Sequence, residues 1–223
     1  MAFDGIVLNS IVNELKQTII GSKVNKIYQP TKNNVIFNLY TNGNKFNLNL
    51  CVDPKNCRLS LTKHFMENPM QAPSFCMLLR KHIGNSMLVG INTFDLERIV
   101  EFEFKNFNEF DEAKSKKLII EIMAGHSNII LLNNDKEIID SLRHVASSRE
   151  IFPGKKYVMP TNAKKSFLLL EDFKDFLNAL NYDGSEIDKL MSHVFIGISQ
   201  SFIKSSIKEL GLVSENLSIE DLR

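Results

Sequence analysis

At 223 residues, 43% hydrophobic and 24% charged, the chain has the length and composition of a globular protein able to bury a core. No run of about eighteen apolar residues occurs, which excludes a helical membrane span, and Cys51, Cys57 and Cys76 fit neither a disulfide framework nor a CxxC zinc pair. The net charge of +1 is uneven: residues 1–166 hold 22 Lys and Arg against 16 Asp and Glu, while 167–223 hold 5 against 10, so only the first part suits a polyanion.

Met1-Ala2-Phe3-Asp4-Gly5 has no basic stretch before an apolar run, so the chain reads as cytoplasmic. Ile6, Val7, Ser10, Ile11, Glu14, Leu15, Thr18 and Ile19 follow a helical spacing that stops at Gly21, with Asp4 placed to cap its first turn. Val24–Tyr28 reads as a strand ending at Gln29-Pro30. Val35–Tyr40 and Lys45–Leu50 flank Thr41-Asn42-Gly43-Asn44, a hairpin signal because Asn-Gly tolerates positive φ. Arg58–Thr62 alternates as a further strand.

Asn68–Pro73 is a loop stiffened by two prolines. Ser74 is placed to cap a helix, Phe75–Ile83, closed by Gly84. Arg80, Lys81 and His82 fall at its C-terminal end, where the helix dipole favours cations; the same cluster suits a phosphate. Val89–Phe94 and Arg98–Phe104 read as strands around Asp95-Leu96-Glu97-Arg98, in which Glu97 and Arg98 form an ordinary surface pair. Asn106–Lys117 is polar, a solvated loop.

The stretch Leu118–His144 draws most attention. Three apolar runs, Leu118–Met123, Ile129–Leu132 and Ile138–Leu142, are separated by two different breaks. Asn133-Asn134-Asp135 is ordinary turn chemistry. Gly125-His126-Ser127-Asn128 instead sets polar, chemically able side chains between two strands that read as buried. Beyond a linker at Met159–Lys165 the pattern turns helical: Phe173, Phe176, Leu177 and Leu180, then Ile187, Leu190, Met191 and Val194, then Phe202, Ile203, Ile207 and Leu210. Gly197-Ile198-Ser199 breaks the last two apart. The polar end Glu220-Asp221-Leu222-Arg223 reads as a cut edge.

No Gly-rich phosphate loop, HExxH or GxSxG occurs, and His64, His82, His126, His144 and His193 are scattered singly. The expectation is therefore an α+β chain with no catalytic group, metal or cofactor: a β-rich, sandwich-like domain over 1–166 with flanking helices, then a small helical module over 167–223.

Several segments together resemble the amino-terminal half of the NFACT family, whose bacterial members are RqcH or fibronectin-binding protein A-like ribosome quality-control factors. They are Phe3-Asp4-Gly5, Lys26-Ile27-Tyr28-Gln29-Pro30, Phe75–His82, Glu97-Arg98-Ile99-Val100, His126-Ser127-Asn128-Ile129, Ile139–Leu142 and Phe195-Ile196-Gly197-Ile198-Ser199, in the family's order. The resemblance implies a first domain like the N-terminal domain of formamidopyrimidine-DNA glycosylases, then a helix-hairpin-helix-like module truncated before a coiled coil. It implies binding to stalled large ribosomal subunits with nascent peptidyl-tRNA, and recruitment of tRNA, alanine tRNA in bacteria, for C-terminal alanine tailing. The family's early acid falls on Asp4 and its Asp-Arg pair on Glu97-Arg98, one methylene longer here. Its Gly-basic-His-Ser-Asn turn falls on Ala124–Asn128, with one cation lost. The tRNA-binding set implied is Asp4, Arg80, Lys81, His82, Glu97, Arg98, His126, Ser127 and Asn128. Glycosylase chemistry is not expected, since those enzymes use an N-terminal proline amine and this chain opens Met1-Ala2-Phe3. Two alternatives stand beside this reading: an adhesin binding fibronectin or other matrix protein, and a non-catalytic DNA-binding module.

Overall fold

Local chemistry sets the first elements of the computed structural model, which describes residues 3–64, 66–106, 115–171, 173–181 and 186–211. Helix α1 (Gly5–Ile19) ends one residue short of a turn in which Gly21 takes φ +82, a conformation glycine adopts without a Cβ penalty. Its buried stripe is Leu8, Val12, Leu15 and Ile19; of the expected spacing Leu15 and Ile19 are in it, while Ile6, Val7 and Ile11 are half-buried. The segment is apolar at five of the positions from 6 to 12, so periodicity alone leaves the face open.

Among the described residues nine antiparallel strands follow: β1 (Lys23–Thr31), β2 (Asn34–Thr41), β3 (Asn44–Cys51), β4 (Arg58–Leu61), β5 (Met87–Thr93), β6 (Ile99–Lys105), β7 (Ser115–Glu121), β8 (Asn128–Leu132) and β9 (Ile138–Ser141). They form one sheet in the order β4-β3-β2-β1-β5-β6-β7-β8-β9. Strand β1 runs on through Gln29-Pro30 because a register shift between Tyr28 and Thr31 takes the proline out of the ladder. The Asn42-Gly43 turn is a two-residue hairpin loop with φ +47 and +79, as its sequence dictates. Strand β7 starts at Ser115 and takes in the last three residues of the expected polar loop; residues 107–114 of that loop and the terminal Glu220–Arg223 lie outside the described residues.

The β1–β5 joint carries a single registered pair, Lys23–Met87. Phe37 on β2 and Phe104 on β6, three strands apart, nonetheless stack with ring centroids at 5.8 Å. In a flat sheet that spacing is about 14 Å, so the sheet folds over itself at the weak joint and closes a core between β1–β4 and β5–β9. Helix α2 (Ser74–Ile83) adds Phe75, Cys76, Leu79 and Ile83 to the buried set. Ser74 does not cap it. The cap position falls on Pro73, which fixes the extended backbone there and offers no side-chain acceptor. Gly84 is needed for space rather than handedness: a Cβ would stand 2.3 Å from the Arg80 carbonyl oxygen. All three cysteines are free, with Cys51 and Cys76 buried.

Helices α3 (Phe173–Leu180), α4 (Ile187–Val194) and α5 (Gln200–Glu209) complete the described elements. Their core is Leu180, Ile187, Phe195, Ile198 and Ile203, with Phe176 stacked on Phe195 at 5.8 Å and Phe167 edge-on to it at 5.5 Å. The chain divides into two compact units. A sheet unit holds Ser10–Thr93 and Ile99–Pro160; a helical unit holds Met1–Asn9, Phe94–Arg98 and Thr161–Arg223. The boundary expected between 166 and 167 thus falls inside the last segment of the helical unit. Among the described residues no helix is long and apolar enough to cross a membrane.

Candidate nucleic-acid interface

In the helical unit, three segments distant in sequence are pinned at one point. The backbone N–H groups of Gly5 and Ile6 donate to the Gly197 carbonyl at 2.9 and 3.3 Å. A Cβ on Gly5 would lie 2.0 Å from the Leu96 carbonyl oxygen, and one on Gly197, whose φ is +71, would lie 2.2 Å from the same oxygen. Only glycine permits this approach. Asp4 completes the knot. One carboxylate oxygen accepts from the Val7 N–H at 3.0 Å, the capping bond, and the other accepts from the Ser199 hydroxyl at 2.6 Å and its N–H at 3.3 Å. Asp4 is 6% exposed, so its oxygens are spent within the unit and none is presented to a base.

The turn carrying Glu97 and Arg98 is displayed by this knot. Asp95 takes φ +52 and the Glu97 N–H closes onto the Phe94 carbonyl at 2.9 Å. Glu97 is half-buried. Burial pushes its carboxyl above the ordinary value, an effect opposed by a hydrogen bond from Asn162 and by the Arg98 guanidinium. Arg98 itself is exposed and makes no side-chain hydrogen bond among the described residues. A half-buried carboxylate held by an amide thus stands beside a cation that is free to reach outward.

In the sheet unit, the break after β7 forms a single 3₁₀ turn, Ala124–His126, with Ala124 at φ +48. The three polar residues singled out there divide their work. Ser127, 1% exposed, accepts from the Met123 N–H at 2.8 Å and donates to the Ala124 carbonyl at 2.8 Å. Asn128, also 1% exposed, accepts from the N–H groups of Ile129 and Arg143 and donates to the Arg143 carbonyl. These two build the turn, and only His126 is exposed.

The groups that organise this site are ones the sequence reading passed over. Arg143 reaches the Ser127 carbonyl at 3.0 Å, the Asn33 side chain at 2.8 Å and the Val52 carbonyl at 2.9 Å, tying the turn to the far end of the folded sheet. Glu121, 1% exposed, is held by both terminal nitrogens of Arg149 and by the Tyr157 hydroxyl at 2.8 Å. The Arg149 guanidinium also lies 5.3 Å from the Tyr157 ring centroid, and burial beside Glu121 pushes the Tyr157 hydroxyl strongly upward. Glu121, Arg143 and Arg149 border a cavity of about 330 Å³ whose rim includes Met123, His126 and Ser147. A glutamate closing an apolar strand was the available signal, because a buried carboxylate requires a partner.

The cations of α2 lie elsewhere in the sheet unit and share no cavity with the turn among the described residues. Arg80 spends its Nε on the Ile27 carbonyl at 2.8 Å, and Lys81 is exposed. Burial, and then Lys81 and Lys116, hold the His82 imidazole below its ordinary value. Among the described residues no group of three His, Cys, Asp or Glu is placed to hold a metal.

Residues 4–223 match the family model of the NFACT N-terminal and middle domains. The chain is 36% identical over 220 residues to the Rqc2 homolog RqcH of Bacillus subtilis, an alignment covering 96% of this chain and 39% of that protein. It is 30% identical over 141 residues to human ribosome quality control complex subunit NEMF, covering 63% of this chain and 12% of that protein. Among solved structures, the N-terminal domain of the fibronectin-binding protein PavA of Streptococcus pneumoniae superposes with a TM-score of 0.86 at 29% identity, covering 94% of this chain and 80% of that one. The N-terminal part of a fibronectin/fibrinogen-binding protein of Streptococcus suis gives the same score at 28% identity, covering 100% and 83%. The chain spans about two fifths of the length of the Bacillus relative. By the family model and by these identities, the chain belongs to the NFACT family.

Proposed function

We propose that this chain is the tRNA-binding N-terminal part of a cytoplasmic ribosome quality-control factor. In this reading the whole protein binds stalled large ribosomal subunits carrying nascent peptidyl-tRNA and recruits tRNA, alanine tRNA in particular, for C-terminal alanine tailing. The names of the relatives support the ribosome part of the reading, and the Phe94–Arg98 turn carries the tRNA part. An exposed guanidinium anchored beside a half-buried carboxylate can bond a phosphate, while Glu97 fixes its neighbour or accepts from a base edge. The family resemblance further assigns a non-catalytic fold of the formamidopyrimidine-DNA glycosylase kind to 1–166 and a helix-hairpin-helix-like module to 167–223.

The test is a salt titration of tRNA binding to the 223-residue chain, beside duplex DNA and the Arg98→Ala variant. The expected result is selectivity for tRNA, with Arg98→Ala weakening it about tenfold, equal to about 1.4 kcal/mol. Equal affinity for both nucleic acids, untouched by Arg98→Ala, refutes the reading. The fibronectin-binding names of the two structural relatives favour one second reading, a matrix adhesin. It requires saturable fibronectin binding that tRNA does not compete away.

A further inference from the structure

The outer face of β1–β4 carries a run of three clefts that the tRNA reading leaves unused apart from Arg80. A central cleft of about 310 Å³ shares Tyr28 with a cleft of about 440 Å³ on one side. It shares Asn47 and Lys63 with a cleft of about 490 Å³ on the other. Cations stand along the whole run: Arg80 and Lys26 at one end, Lys63 in the middle beside His64, Lys45 at the other end. No carboxylate lines any of the three; Glu67 is exposed nearby but borders none.

Strand register explains the arrangement. Lys26 pairs with Asn38, Asn38 with Asn47, and Tyr40 with Lys45, so alternation puts these side chains on one face while Phe37, Leu39 and Leu48 fill the core. The bulge after Val24 turns Asn25 onto the same face. A ladder of amides then crosses three strands. The Asn25 amide donates to Asn38 at 2.9 Å, and the Asn38 amide donates to Asn47 at 2.9 Å. Read in either sense, the ladder ends with an acceptor at one end and amide donors at the other. Asn47 accepts at the end of the ladder and lines both the central cleft and its neighbour, and its amide N–H groups have no hydrogen-bond partner among the described residues.

We infer that this face binds an unpaired RNA strand. Fixed amide edges beside a tyrosine ring, in open clefts each roomy enough for a base and flanked by cations without carboxylates, match single-stranded recognition by stacking, edge bonding and phosphate neutralisation. An acidic peptide would satisfy the cations but leave the ring and the amide ladder unused. Three strand spacings of about 4.8 Å give a run of about 14 Å, room for about four stacked nucleotides. None of these residues belongs to the Phe94–Arg98 turn, so the inference stands or falls separately from the reading of Arg98.

The probe is a fluorescein-labelled oligouridine ten-mer, titrated against the 223-residue chain at several salt concentrations. Four cations (Lys26, Lys45, Lys63 and Arg80) predict a slope of log affinity against log salt near −2.8, and Lys26→Ala with Lys63→Ala lowers its magnitude by about 1.4. Asn47→Asp, which puts a carboxylate in the central cleft, weakens binding at least tenfold. A 4-thiouridine version of the probe cross-links to Tyr28 or its strand neighbours. The inference is overturned if the lysine variants bind as the parent does with an unchanged circular dichroism spectrum. It is equally overturned if Arg98→Ala alone abolishes binding, or if a polyglutamate peptide displaces the RNA at equal charge concentration.

Discussion

Replacing Arg143 by methionine tests the claim that this one side chain holds the two ends of the folded sheet together. The substitution keeps most of the stem's packing and removes the guanidinium. Three hydrogen bonds of 2.8, 2.9 and 3.0 Å are lost, to Asn33, Val52 and Ser127. A bond to a charged donor is worth about 1.5–3 kcal/mol, and the half-exposed site places each at the low end. Neighbouring bonds are not additive, and releasing the side chain returns about 1–2 kcal/mol of rotamer entropy. The expected loss is therefore about 3 kcal/mol, a fall in melting temperature of roughly 6–12 °C for a chain of this size. Urea unfolding followed by far-ultraviolet circular dichroism is the assay, since the chain has no tryptophan. Arg143→Lys should recover less than half, because an ammonium cannot span three divergent acceptors. A cost below about 1 kcal/mol for Arg143→Met would refute the reasoning.

Two further substitutions move glycine in opposite directions. Ala124→Gly relieves a left-handed backbone at φ +48 and should stabilise by about 0.5–1 kcal/mol once glycine's extra unfolded entropy is deducted; no gain in urea midpoint would count against strain there. Gly5→Ala drives a Cβ to 2.0 Å from the Leu96 carbonyl oxygen, a backbone atom that cannot swing aside, and should cost about 3 kcal/mol or more; a variant that melts like the parent contradicts the knot. The lowered His82 pKa also has a sign. Folded His82 takes up its proton at lower pH than the unfolded chain, so its contribution is complete above the ordinary value of 6.5 and is lost as pH falls through the folded value. His82→Gln should therefore flatten stability against pH between about 7 and 5, and an unchanged slope would show that the ring is not held neutral.

The legibility of the chain follows the range of the interactions involved. The Asn42-Gly43 hairpin, the stop at Gly21 and the Asn133–Asp135 turn were readable because each is decided within a few residues. The start of β7 was missed because Ser115-Lys116-Lys117 reads as solvent, while in the sheet Lys117 pairs with the buried Glu101 at 2.9 Å. The polar turn at Gly125–Asn128 was found, but the division of labour within it was not. Ser127 and Asn128 satisfy backbone groups, and that role depends on Arg143, fifteen or more residues away. Nothing local singles out Arg149 or Tyr157; only the fold gives them a common partner in Glu121. Asp4 was read as a cap, and it is one; its second oxygen answers to Ser199, which no local pattern discloses.

That last bond spans 195 residues of sequence. On a ribosome, Asp4, Gly5 and the Phe94–Arg98 turn emerge long before Gly197 and Ser199 exist to receive them. The sheet unit can form its strands progressively as they appear, but the helical unit waits for nearly the whole length before it can close. Until then the Asp4 oxygen that binds Ser199 and the Gly5 N–H that binds the Gly197 carbonyl face only water. Display of Arg98 by a finished turn is thus a late event in synthesis, coupled to arrival of the Phe195–Ser199 segment rather than to folding of the strands that flank it.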